Sequence, residues 1–341
     1  MHNNNHRDAL RVLAWETTHA CTLACPHCRA KASLEPAENE LTTAEAFVML
    51  ESAALLGTKM LILSGGEPLL RKDLEEVAVK ACELGIKPVV SCNDGRLLSD
   101  DRLESLKKSG INHFSFSMHS EDEEEHDKFV RVENTYNEAL KAFERIKKHG
   151  MSFQINTTVL PVNYKKLESL KDWVKSLGAS AWHLFFLVPM GRAEENLNET
   201  SLDKSAVNEV IKWLAHNSDN FGISTKITCA PQYAAARDAL GYPAESRGRS
   251  CMAGKGFLFV GKTGDVKPCG YFEKSCGNIR QQSLEEIYRT SEPLLRIRNP
   301  ELLQGFCSKC KMKVVCGGCR ARALAVNGDL MAEDPNCIFA K

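Results

Sequence analysis

The sequence predicts an α/β chain in which a partial (β/α)6 TIM-like barrel is followed by a cysteine-rich C-terminal domain. Three observations carry this. Between residues 10 and 220, short apolar runs alternate with longer amphipathic ones, the pattern of repeated βα units forming a parallel sheet. Past Asn220 that alternation gives way to glycine-, proline- and cysteine-rich sequence with few periodic segments other than Leu284–Tyr288 and its neighbours. The 14 cysteines also fall into groups, with three between Cys21 and Cys28 and eight between Cys251 and Cys337. Two domains follow, residues 1–220 and residues 221–341.

The strand candidates are Leu10–Trp15, Met60–Leu63, Pro88–Cys92, His113–Met118, Phe153–Val159 and Trp182–Val188. The first helix candidate opens with Thr42 and Glu45 at capping-box spacing and puts Phe47, Leu50 and Ala54 on one face. Leu74–Leu84 and Glu138–Lys148 run into Gly85 and Gly150, as helices often end. Six such units are too few to close an eightfold barrel, so a lateral mouth remains for a large substrate. The C-terminal part builds little core and needs cross-links, which metal clusters can supply.

The bulk numbers exclude several classes. A chain of 341 residues with 43 % hydrophobic composition can bury a large core and is not disordered. Lysine plus arginine and aspartate plus glutamate each total 44, so no global charge favours nucleic acid or a membrane surface. No apolar run is long enough to span a bilayer, and Met1 to Asp8 lacks the apolar stretch of a signal peptide. These features predict a soluble cytoplasmic protein. In a reducing cytoplasm, 14 cysteines read as metal ligands or catalytic groups rather than disulfides. Cys82, in a helix pattern, and Cys92, at a strand end, read as buried small hydrophobes.

Directly after the first strand comes Cys21-Thr-Leu-Ala-Cys25-Pro-His-Cys28. Three thiolates can hold three irons of a 4Fe-4S cube and leave the fourth without a protein ligand, and an open metal position is a reaction site. A zinc site would prefer paired C-x2-C or C-x2-H ligands with a fourth partner nearby. After the second strand follows Gly65-Gly66-Glu67-Pro68, whose glycines let a backbone approach a ligand closely and whose carboxylate can accept from an amino group.

The C-x3-C-x2-C triad in this position, with the GGEP turn after it, resembles the radical SAM superfamily, and the likeness covers the whole barrel portion. It implies that Cys21, Cys25 and Cys28 hold a catalytic 4Fe-4S cluster whose open iron binds S-adenosyl-L-methionine. One-electron reduction from a low-potential donor then breaks the sulfonium bond to give a 5'-deoxyadenosyl radical. By position, Gly65, Gly66, Glu67 and Pro68 would face the methionyl group. His27 stands where the family has an aromatic residue near adenine, with a plain packing role as its alternative. Asn93 and Ser117 resemble ribose and methionyl contacts, Arg131 a partner of the SAM carboxylate, and Val188 either a flank of adenine or barrel core. Met118-His119-Ser120 departs from the family's Ile-Asp-Gly.

In the C-terminal part, Cys251-x17-Cys269-x6-Cys276 and Cys307-x2-Cys310-x5-Cys316-x2-Cys319-x17-Cys337 resemble the SPASM extension of these enzymes, although the commonest form has a three-residue gap before the counterpart of Cys319. The resemblance implies one or two auxiliary 4Fe-4S clusters. Cys307, Cys310, Cys316 and Cys337 would hold the outer one. Cys251, Cys269 and Cys319 would hold the inner one, with Cys276 either a fourth ligand or a free thiol beside an open iron. A zinc ribbon is the structural alternative for Cys307 to Cys319.

Ala14-Trp15-Glu16, His27-Cys28-Arg29-Ala30, Ala181-Trp182-His183, Val188-Pro189-Met190-Gly191-Arg192, Thr228-Cys229-Ala230-Pro231 and Cys316-Gly-Gly-Cys319-Arg320-Ala321-Arg322 together resemble the tetrapyrrole-modifying group, above all the heme synthases of the siroheme-dependent pathway. That implies oxidative decarboxylation of two propionates of Fe-coproporphyrin III to vinyl groups, giving heme b, with no nucleic-acid or membrane partner. Four substrate carboxylates call for cations, and Arg29, Arg192, Lys226, Arg237, Arg247 and Arg249 are the candidates. Cys229 lies in the bridging segment where substrate would dock. The rival readings are a SPASM peptide or protein maturase and a sister decarboxylase acting on a siroheme derivative. Only about twenty residues precede Cys21, which counts against a leader-dependent maturase and leaves a leaderless one open. An electron carrier or iron sensor would have no use for the GGEP turn.

Overall fold

Alternation of side chains along each short apolar run puts one set of residues against a packed layer and the other on the opposite face, and the structure shows how this extends into one sheet. The computed structural model describes residues 9–243 and 251–340. Its strands are β1 (Val12–Glu16), β2 (Met60–Ser64), β3 (Lys87–Ser91), β4 (His113–Ser117), β5 (Ser152–Val159), β6 (Ala181–Phe186), β7 (Ser224–Thr228), β8 (Phe257–Val260), β9 (Asp265–Lys267) and β10 (Gly277–Asn278). They form one sheet in the order β10-β9-β8-β1-β2-β3-β4-β5-β6-β7. From β1 to β7 each strand pairs in parallel with the next, as right-handed βα crossovers require.

All six predicted strands are present, each within two residues of its expected ends. Two further pairings were not expected. β7 continues the parallel sheet beyond β6, with Ala181 opposite Ser224. β8, from the cysteine-rich part, pairs in parallel with β1 on its free side, Val12 opposite Phe257. Residue 220 therefore marks a change of composition but no break in the sheet, and antiparallel β9 and β10 extend the β8 edge.

The core lies between the sheet and its helices. Leu13, Trp15, Leu61, Leu63, Val90, Phe114, Phe116, Phe153, Ile155, Trp182 and Leu184 from β1 to β6 are all buried in one cluster. On the lumen face of the sheet, opposite this cluster, Ser115, Ser117, Gln154, Asn156, Thr158 and His183 are only half-buried. The helix Thr43–Leu55 forms the predicted capping box: the Thr42 hydroxyl accepts from the Glu45 N–H, and the Glu45 carboxylate accepts from the Thr42 N–H at 2.8 Å. Its buried face is rotated from the expected one, however. Ala46, Met49, Leu50 and Ala53 face inward while Phe47 and Ala54 flank them half-buried, because the small alanines allow the closer approach. Cys92 is buried as expected, but Cys82 is exposed, since its helical position falls outside the inward stripe. Among the described residues no helix is long and apolar enough to cross a membrane.

Candidate functional site

The loop that leaves β1 carries Cys21, Cys25 and Cys28 into one small apolar nest with Leu23, Ala32 and Val130. Its backbone is pinned from several directions. The Cys21 N–H donates to the Ser33 carbonyl at 2.7 Å, the Ala24 N–H to the Val130 carbonyl at 3.1 Å, and the Cys28 carbonyl accepts from the Arg192 N–H at 2.9 Å. Thr22 Oγ1 donates to Asp94 just past β3 at 2.7 Å, and the Leu23 N–H points at Cys21 Sγ at 3.4 Å. Burial pushes the Cys21 and Cys25 thiols up to about 12; neighbouring thiols add to this, and Arg192 opposes it in both. The three thiols share this one nest, and metal binding must release their protons.

Among the described residues no three His, Cys, Asp or Glu side chains converge on a single ion. A cube asks for something different, because each thiolate meets its own iron. Three thiols packed in one apolar shell, with an N–H directed at one sulfur and Arg192 against the loop, fit a cluster that keeps one iron free.

The GGEP turn abuts this loop. The Gly66 N–H donates to the Thr18 carbonyl at 2.8 Å and the Glu67 N–H to the Ala20 carbonyl at 2.7 Å. A Cβ on Gly66 would sit 2.2 Å from the Ala20 oxygen, and one on Gly65 2.8 Å from the Thr18 oxygen, so both positions require glycine. Pro68 opens the short turn Pro68–Leu70. Glu67 is fully buried, and its carboxylate accepts from the N–H groups of Leu69, Asn93 and Asp94 at 2.8 to 3.1 Å. Burial pushes it up to about 7 against the pull of those donors. Expected at the methionyl amino group, it here locks the ends of β2 and β3 together.

Asn93 Oδ1 accepts from the Ser117 N–H at 2.8 Å, so these two expected contacts form one bridge between β3 and β4. Arg131, in the left-handed region at φ +61, pairs with Glu199 at 3.6 Å. Val188 is buried among Phe272, Ile297, Cys319 and Ala321, which places it beside the inner auxiliary cysteines. His27 stacks on Phe129 at 5.1 Å and meets His119 edge-on at 4.7 Å. Burial lowers it to about 4, so it is neutral at pH 7. The aromatic wall it joins, with His119, His126 and Phe129, gave no signal in sequence, because its members come from three separate segments.

The lumen face carries a polar row that sequence reasoning also missed. His113 Nε2 lies 3.2 Å from Gln154 Oε1, Gln154 Nε2 lies 3.0 Å from His183 Nδ1, and His183 is the register partner of exposed Lys226. Burial, reinforced by Lys226, lowers His183 to about 4. Period-two spacing within β5 and β6 held half of this signal; the pairing that aligns the row did not show.

The substrate cations divide. Lys226 stands on this row, and Arg192 packs against the cysteine loop, its Nη1 donating to the Ala32 carbonyl at 3.1 Å while its buried Nε has no partner. Arg29 is engaged otherwise: it pairs with buried Glu16 at 2.8 Å and lies 4.4 Å over the Phe259 ring, while Lys262 takes the other Glu16 oxygen. Arg237 must be withdrawn, since it is 0 % exposed, pairs with Asp219 at 2.6 Å and stacks on Tyr242. Arg247 and Arg249 lie outside the described residues.

In the C-terminal part, Cys307, Cys310, Cys316 and Cys337 line one pocket together with Gly317, Gly318 and Asp334. Four thiols around one space fit a fully ligated cube. Cys251 opens onto an adjoining hollow lined by Lys255 and Arg320, whose wall it shares with Cys316 of the outer set. Cys269 and Cys319 pack in the nest that holds Val188 and Phe272, and Cys229 joins them there. A buried pair stands behind: Arg322 donates to both Asp334 oxygens at 3.1 Å, and Asp334 accepts from the Cys319 N–H at 2.7 Å.

Comparison with known proteins matches residues 15–174 to the family model of the radical SAM superfamily and residues 251–311 to that of SPASM, an iron-sulfur cluster-binding domain. The chain is 37 % identical to the AdoMet-dependent heme synthase of Oleidesulfovibrio alaskensis, over 97 % of this chain and 88 % of that one. It is 38 % identical to the AdoMet-dependent heme synthase of Methanosarcina barkeri, over 97 % of both. The crystal structure of Streptococcus suis SuiB bound to S-adenosylmethionine superposes with a TM-score of 0.76 at 18 % identity, covering 97 % of this chain and 77 % of that one, which is a likeness of fold.

Proposed function

The chain belongs to the radical SAM enzymes, in the family of the AdoMet-dependent heme synthases with a SPASM iron-sulfur domain, and from this premise we propose that it oxidatively decarboxylates two propionates of Fe-coproporphyrin III to vinyl groups, yielding heme b. The observation that carries this reading is that similarity to heme synthases runs over 97 % of the chain and so takes in both the barrel and the cysteine-rich part. Each propionate loses a hydrogen atom from its β-carbon, then carbon dioxide and one electron. When bound, S-adenosylmethionine on the N-terminal cluster supplies the hydrogen-atom abstraction, and the auxiliary clusters supply a path for the electron.

The chain's own residues hold and shield the substrate. Lys226 beside His183 offers a cation and a neutral imidazole to one carboxylate, with Gln154 fixing the ring through Nδ1. Arg192 brings an unpartnered guanidinium nitrogen to the cysteine loop, where the carboxylate of S-adenosylmethionine or of the substrate can take it. His27, stacked on Phe129, closes an aromatic wall over the same loop and keeps water from it. A low-potential electron donor must start each turnover.

The test is incubation of the anaerobically reconstituted enzyme with Fe-coproporphyrin III, S-adenosylmethionine and dithionite. Products lighter by one and then two formic acid equivalents are expected. An unchanged porphyrin mass would overturn the proposal and return the peptide maturase and the siroheme decarboxylase to the front.

A further inference from the structure

Three cysteines share the N-terminal loop and four the outer pocket; Cys269 and Cys319 share a third nest, and Cys251, whose thiol feels that of Cys319 and is felt by that of Cys269, joins them for an inner cluster that is one donor short. Cys276, the donor expected from sequence, has other company. Its carbonyl accepts the Ser291 hydroxyl at 2.9 Å, and its side chain packs against the main core and not in the nest of Cys269 and Cys319.

Cys229 stands where the missing donor belongs. It packs in the nest that holds both Cys319 and Cys269, near enough that each of those thiols helps push its own up. The backbone holds it there from two sides. Cys229 sits at φ +61, a conformation that a non-glycine residue keeps only when its surroundings impose it. Buried Arg322 imposes it, donating to the Cys229 carbonyl at 2.7 Å and to the Leu187 carbonyl at 3.1 Å. The same guanidinium binds Asp334, and Asp334 binds the Cys319 N–H. A single buried ion pair thus positions both cysteines against each other.

We propose that Cys229 is the fourth thiolate of the inner auxiliary cluster, completing the set with Cys251, Cys269 and Cys319. As the iron-sulfur bond forms, the thiol proton leaves to solvent and no electron moves. Four thiolates leave no vacant iron, so this cluster relays electrons and does not bind substrate. The inference rests on the iron-sulfur reading of the C-terminal domain and not on the porphyrin: a failed decarboxylation would appear as an unchanged porphyrin mass and would leave the spectra below untouched.

The experiment uses the full chain with Cys21→Ala, Cys25→Ala and Cys28→Ala, so that only auxiliary clusters remain, about eight irons in all. Cys229→Ala, Cys229→Asp and Cys276→Ala are added separately, and iron, sulfide and the electron paramagnetic resonance of the reduced protein are measured. On mild oxidation Cys229→Ala should lose one iron of the inner four and give a three-iron signal absent from the parent. The unchanged outer-cluster signal reports that the fold holds. Cys229→Asp should shift the inner signal without loss of iron, and Cys276→Ala should superpose on the parent. The proposal is overturned if Cys276→Ala gives the three-iron signal, or if the Cys229 variants change nothing while cyanide, a ligand for an open iron, shifts the inner signal of the parent.

Discussion

The N-terminal cysteine loop and the outer C-terminal cavity solve opposite problems with the same residue type. The loop offers three thiols and borrows its rigidity from elsewhere: Asp94 beyond β3, Val130, Ser33 and Arg192 beyond β6 all bond to it. The cavity offers four thiols within 31 residues, Cys307 to Cys337, on short turns with little core of their own. An incomplete donor set has a vacancy for chemistry, so the scaffold must hold it. A complete set has none, and the cluster itself becomes the scaffold.

The sharpest way to break this contrast is to remove one cysteine from each side. Cys25→Ala should abolish 5'-deoxyadenosine release, a loss of at least ~4 kcal/mol or roughly a thousandfold in rate, with the unfolding temperature nearly unchanged. Cys310→Ala should remove about four irons per chain and lower the unfolding temperature by several degrees. Calorimetry and product analysis on both variants check this, and exchanged phenotypes would reverse the assignment of roles. Next in size is Asp334→Asn, which leaves buried Arg322 without its counter-charge and should cost about 3–5 kcal/mol in denaturant titrations, since both side chains of the pair are 1 % exposed.

A third probe concerns the aromatic wall. Burial lowers His126 to about 4, below its ordinary 6.5, so protonation favours the unfolded chain. Its contribution is complete above about pH 6.5 and is lost as the pH falls through about 4, an effect of roughly 3 kcal/mol at most. Unfolding midpoints measured across that window should fall for the parent and fall less steeply for His126→Phe, since His27 and His183 go on titrating there. The smallest expected effect is that of Gly66→Ala, whose Cβ must displace the Ala20 carbonyl at a cost of about 1–3 kcal/mol. Calorimetric titration with S-adenosylmethionine should show weakened binding, because the turn and the cysteine loop move apart.

Much of this was legible in the chain. Strand positions, the Thr42 capping box and the grouping of cysteines are local signals, and local periodicity and spacing carry them. What sequence could not show depends on residues far apart. β8 reads as an isolated FLFV until β1 is found beside it. Arg29 and Arg237 look like free cations until Glu16 and Asp219 are placed. Cys229 is a single residue in an irregular stretch, and only Arg322, 93 residues later, gives it a position. The helix Thr43–Leu55 was read one step out of register because a hydrophobic pattern rewards Phe47, whereas close packing rewards alanine.

The pairing of β1 with β8 also sets a schedule. During synthesis the ribosome delivers Val12–Glu16 first, and β2 can join it early, yet its other edge stays unmatched until Phe257–Val260 emerges some 240 residues later. Through that interval a nascent strand with open hydrogen-bonding groups lies directly upstream of the first iron ligands, exposed to mispairing. Stable cofactor loading is therefore an event of the finished polypeptide, and truncations before residue 257 should accumulate as aggregates rather than as a working barrel.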